Sequence, residues 1–138
     1  MKVVGIEIKS TEAILVVLER DGDGNITQSK ECIKFGIKDS QDNNQVRQFM
    51  KQVKVSLNNI NPDTIGLLAR NGKAKGMMTP SPFSFKLEAL FQLYDKKEVT
   101  FIWPQTISAF LKKNPRKIEP EKIYQDGAFN VAYYLLNQ

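Results

Sequence analysis

Residues 65–94 read IGLLARNGKAKGMMTPSPFSFKLEALFQLY, and three elements are legible in them. A short apolar strand, 64–69, reads as central and parallel. A basic, glycine-containing loop follows from Arg70 to Pro82. A helix over 83–94 then opens with Ser81 as N-cap and Pro82 at the first helical position. That helix is apolar almost all round, and Ser84, Glu88 and Gln92 recur every four residues as its one polar stripe. Such a helix is either deeply buried or packed on a second copy, so a homodimer through helix 83–94 is an expectation. Basic loops at strand ends are where α/β proteins usually bind ligands. Here Arg70, Lys73 and Lys75, with Gly72 and Gly76, offer charge and backbone N–H groups to phosphate, and Lys86 sits beside them in the helix. The loop is not a Walker loop, because G-x-x-x-x-G-K-[ST] is absent.

Upstream, VVGIEI (3–8) and AILVVL (13–18) predict two strands around the turn Lys9–Glu12. The turn Asp21-Gly22-Asp23-Gly24-Asn25 is dense in residues that tolerate positive φ. It lies between strands, not between the two helices that a calcium-binding EF-hand loop needs. Residues 26–37 predict a third antiparallel strand. Ser40 can cap a helix over 41–59, with Val46, Phe49, Met50, Val53 and Leu57 on one face, and Asn58, Asn59, Asn61 and Pro62 ending it. Downstream, VTFIW (99–103) predicts a fifth strand and 106–113 a helix. KKNPRKIEP (112–120) is a basic, proline-bounded linker, and 121–136 is the last helix, with Asp126, Asn130, Tyr133 and Asn137 on one edge. The order is β-β-β-α-β-α-β-α-α. It predicts a single α/β domain over 1–138: a mixed five-stranded sheet, three antiparallel strands then parallel ones, flanked by helices.

Composition bounds the function classes. Hydrophobic residues at 41% and charged residues at 25% are those of a globular protein. No apolar run approaches a membrane span, and the N-terminal MKVVGIEIKS is broken by Glu7 and does not read as a secretory signal. The cytoplasm is the default expectation. The net charge of +5 is unevenly spread. Residues 1–69 hold nine Lys/Arg and nine Asp/Glu, whereas 70–138 hold eleven and six. The excess either attracts a polyanion, nucleic acid first, or serves as solubilising surface charge. The cluster Lys112, Lys113, Arg116 and Lys117 carries the same two readings, a phosphate track or a solvated linker. The chain has no histidine, which excludes Ser-His-Asp and Cys-His chemistry and histidine-bound zinc. Its single cysteine, Cys32, reads as a small core or sheet residue. Glu7 is the oddity. A glutamate inside an apolar strand contacts a metal or partner, or else sits at an edge or pairs with Lys9 or Lys75.

Three further segments carry a resemblance. VVGIEIKSTEAI resembles the first hairpin of the ribonuclease H-like superfamily in its Holliday-junction-resolvase branch, where a strand reading G-I-D precedes the turn. IWPQTISAFLKK resembles its apolar strand followed by Pro-x-x-Val/Ile and a short helix. YQDGAFNVAYYLL resembles its last helix, where an aspartate precedes small residues and an apolar run. GKAKGMMTPSPFSFKLEALFQL is similar to a small bacterial domain-of-unknown-function family, and that likeness spans most of the chain.

The resemblance implies a ribonuclease H-like fold and a Mg²⁺-dependent nuclease acting on structured nucleic acid. In such enzymes three or four carboxylates hold two ions. It places Glu7 in the first acidic position and Asp126 in the last, the two metal ligands. The acid that usually ends the fourth strand is missing, since that strand ends Ala69-Arg70. Glu88 on the polar stripe is the candidate substitute, giving Glu7, Glu88 and Asp126 as the catalytic set. Each has a plainer reading: Asp126 as a helix cap, Glu88 as a surface glutamate. An arginine at that strand end favours an anion over a cation. The alternative is therefore a catalytically inactive member of the fold that binds nucleic acid or protein. A nucleotide module of the actin-like ATPase kind needs Asp-x-Gly near the first turn, where this chain has Glu-Ile-Lys.

Overall fold

A computed structural model describes residues 1–30, 33–71 and 80–138. The long apolar runs near the N-terminus form β1 (Lys2–Lys9) and β2 (Glu12–Arg20), paired antiparallel along their whole length. They meet in a two-residue turn whose Ser10 has φ 54°. The third strand is not continuous. It consists of β3 (Ile26–Gln28) and β4 (Ile33–Gly36), which both pair antiparallel with β2, and the pairing frame shifts by two residues between them. That shift is why the alternation over 26–37 reads as interrupted. Cys32 lies outside the described residues.

Helix α1 (Asn43–Ile60) is capped by Asp42, whose side chain accepts from the N–H groups of Asn44 and Gln45; Ser40 is not the cap. Asn61 ends the helix in the left-handed conformation, as an Asn-rich stop predicts. Strand β5 (Thr64–Leu68) then pairs parallel with β1, and β6 (Val99–Ile102) pairs parallel with β5. The sheet order is β3-β2-β1-β5-β6, with β4 continuing the β3 edge of β2. This is the mixed sheet of five positions that the element order predicts.

Helix α2 is shorter than expected, Ser84–Gln92, and no side chain caps it. Ser81 instead offers its carbonyl to the N–H and hydroxyl of Ser84. Helix α3 (Pro104–Lys113) begins directly after β6. A 3-10 turn, Ile123–Gln125, leads into α4 (Asp126–Leu136) in place of one long helix.

Two cores result, one on each face of the sheet. The alternation of β1 sends Val4, Ile6 and Ile8 toward α1 and α2, where Phe35, Phe49 and Phe91 meet ring to ring at 5.0–6.2 Å. It sends Val3, Gly5 and Glu7 toward α4, whose Ala128, Phe129 and Ala132 pack there. Gly5 makes this approach possible, since a Cβ there would lie 2.6 Å from the Ala132 nitrogen. Among the described residues no helix is long and apolar enough to cross a membrane.

Candidate nucleic-acid interface

Parallel strands deliver their C-terminal ends to one edge of the sheet, and there the candidate residues gather. Glu7 and Lys9 end β1, Arg70 follows β5, and Trp103 follows β6. Between them lies an open cleft of about 550 Å³, also lined by Ser10 and Gln105.

Glu7 reaches this cleft from the α4 face. Its carboxylate lies against Gly127 in the first turn of α4, where any Cβ would collide with both carboxylate oxygens. Oε1 is buried without a hydrogen-bond partner among the described residues; Lys9 Nζ stands 3.6 Å from it as an ion pair. Burial raises the Glu7 pKa above its ordinary value, Lys9 opposes that shift, and the like charge of Asp126 adds to it. Lys9 is held in turn by the Tyr124 carbonyl at 3.2 Å.

Glu88 is neither a surface residue nor a free ligand. It is buried, and its Oε2 accepts from Arg70 Nε at 2.9 Å and Nη2 at 2.7 Å. Arg70 Nη1 donates to Ser84 Oγ at 2.7 Å, and the guanidinium stacks on Phe85, 4.5 Å from the ring centroid. The polar stripe of α2 thus turns inward, at Ser84 and Glu88, to receive the arginine that follows β5. The helix leaves Phe83 and Leu93 exposed instead.

Asp126 is the first residue of α4 and makes no capping bond. One oxygen accepts from Arg116 Nη1 at 2.6 Å, and the same arginine reaches Asn130 and Glu119. Arg116 therefore ties the proline-bounded linker to α4, a role the linker reading missed. Lys86 is exposed and donates to the Ser40 carbonyl at 3.1 Å. Lys73 and Lys75 lie outside the described residues.

The structure brings Glu7 next to the turn that carries Asp126 and leaves Glu88 on the opposite face with Arg70. Among the described residues no group of three or more His, Cys, Asp or Glu is placed to hold a metal ion. Trp103 lines the cleft as well, at the start of α3. Its signal in the sequence is a lone tryptophan directly before a helix-starting proline.

The family described as "Protein of unknown function (DUF3010)" matches residues 1–135. No curated protein matches the chain by sequence. Among solved structures, Thermus thermophilus RuvC in complex with Holliday junction substrate is 14% identical, with TM-score 0.68 over 96% of this chain and 90% of that one. A second Thermus thermophilus RuvC structure gives 12% and 0.65 over 99% and 97%. The Fowlpox virus resolvase in complex with Holliday junction DNA gives 17% and 0.56 over 99% and 97%. The fold is ribonuclease H-like, in the form that resolvases share.

Proposed function

The chain belongs to the DUF3010 family, and we propose that it binds structured nucleic acid at the strand-end cleft without cleaving it. The commitment of Glu88 to Arg70 carries this reading. A two-metal phosphodiesterase needs three or four carboxylates with oxygens to spare. Glu88 Oε2 serves two guanidinium donors, and Asp126 serves Arg116 and Asn130. With Glu88 on the opposite face, no three carboxylates converge among the described residues, and this donor set does not fit a magnesium centre. What the cleft edge offers instead is the half-exposed charge of Lys9, next to the loop that carries Lys73 and Lys75 in sequence. The resolvase-like fold and the basic second half of the chain support a nucleic-acid partner.

Fluorescence anisotropy with labelled four-way junctions and duplexes tests the reading, alongside gels run with Mg²⁺ or Mn²⁺. Junctions should bind more tightly than duplexes and stay intact. The slope of log affinity against log salt should flatten by roughly one unit in Lys73→Ala.

A second reading is a Mg²⁺-dependent nuclease using Glu7, Glu88 and Asp126, with the metal on Glu7 and Asp126. It is favoured by Glu7 Oε1, buried and without a hydrogen-bond partner among the described residues. Cleavage lost in Glu7→Gln would establish that reading and sink the first. Absence of binding at low salt would end both.

A further inference from the structure

We propose that the strand-end cleft receives one unpaired nucleobase, stacked on the indole of Trp103. The inference rests on the nucleic-acid reading above and names the part of the ligand that the cleft takes.

Trp103 is the only tryptophan of the chain. It is 50% exposed and belongs to none of the buried apolar clusters among the described residues. Its backbone is fixed nonetheless. Its carbonyl accepts from the N–H groups of Thr106 at 3.0 Å and Ile107 at 3.2 Å, Pro104 follows it, and Ile107 is buried. A half-exposed indole that lines the cleft from a fixed stretch of backbone offers a flat ligand an aromatic face. The cleft volume of about 550 Å³ lies within the ~300–1,000 Å³ of small-molecule sites.

The surrounding chemistry suits a base on its backbone better than an apolar ring. Gln105, exposed in the first turn of α3, brings an amide that both donates and accepts, as a base edge requires. Lys9, half-exposed at the end of β1 on the same cleft, brings the charge that a phosphate needs. A base within an intact duplex is stacked on both sides and cannot enter. A base at a bulge, a junction crossover or a single strand can, at a smaller unstacking cost.

The single tryptophan makes the test direct. Wild-type protein is titrated with a duplex carrying one bulged base and with a fully paired duplex of equal length, and occupancy is matched by anisotropy. Trp103 emission should be quenched by the bulged duplex and little changed by the paired one. In Trp103→Ala the preference for bulged over paired DNA should fall about tenfold, and Trp103→Phe should keep most of it. Circular-dichroism melts check that both variants fold. Equal quenching by the two duplexes, or a preference that survives Trp103→Ala, overturns the proposal. Binding of both duplexes without preference overturns it alone. Failure to bind either at low salt overturns the nucleic-acid reading with it.

Discussion

Two glutamates, Glu88 buried and Glu7 half-buried, stand on opposite faces of one sheet, and they are treated in opposite ways. Glu88, on the α1–α2 face, meets a guanidinium through two donors, and that guanidinium is itself held by a serine hydroxyl and an aromatic ring. Glu7, on the α4 face, has an ion-pair partner at 3.6 Å and a buried oxygen with no hydrogen bond among the described residues. A satisfied buried charge organises structure; one left short of partners costs stability and is tolerated where a site needs it. On the proposed reading, the Glu88 side is architecture and the Glu7 side faces the ligand.

The sharpest way to break this contrast is to strip the Glu88 side of one partner. Glu88→Ala leaves the Arg70 guanidinium buried beside Ser84 and Phe85 with no counter-charge, which should cost about 3 kcal/mol in urea unfolding. Replacing both, Arg70→Met with Glu88→Leu, should recover most of that loss, because a buried pair contributes little net energy over an apolar isostere. A single-mutant loss below about 1 kcal/mol would mean that the pair is solvated, as exposed ion pairs are, and the contrast would fail.

The Glu7 side is probed through its neighbour. Gly127 lies in the first turn of α4, where glycine is poor for a helix, and Gly→Ala there would ordinarily gain up to about 1 kcal/mol. The methyl group would collide with the Glu7 carboxylate, so Gly127→Ala should instead lose about 1 kcal/mol. In a Glu7→Ala background the sign should reverse. Additive effects across this double-mutant cycle would show that the carboxylate is not packed on α4.

Much of this was legible in the chain. The element order, the parallel β5 and β6, the core face of α1 and the exceptional status of Glu7 followed from periodicity and turn chemistry. The partner of Glu88 did not. Periodicity groups Ser84, Glu88 and Gln92 on one stripe but does not say whether the stripe faces water or the half-buried arginine that follows β5. Arg70 was legible as a cation in place of an acid, yet its charge is spent inward. Gly5 and Gly127 read as small residues; only the strand–helix approach reveals that their missing side chains place the Glu7 carboxylate. The cap at Asp42 over Ser40 and the frame shift between β3 and β4 turn on backbone geometry that single residues do not encode.

The finest distinction between the two glutamates is one of pH. Burial raises the Glu7 pKa above its ordinary value of 4.5, so the folded state prefers the protonated form. A group whose folded pKa is raised binds more protons in the native state than in the unfolded one. Its ionisation therefore withdraws stability as pH climbs above the ordinary value, and the cost is complete once pH passes the raised one. Below 4.5 both states are protonated and the cost disappears. Glu7→Gln, which keeps the shape and removes the charge, should raise the melting temperature at pH 7.5, and the gain should shrink toward nothing by about pH 4. Glu88→Gln at pH 7.5 should lower it, since that charge is matched by Arg70. One isosteric change would then stabilise on the α4 face and destabilise on the other. Equal shifts in the same direction, read by differential scanning calorimetry, would dissolve the distinction on which the binding site is placed at Glu7.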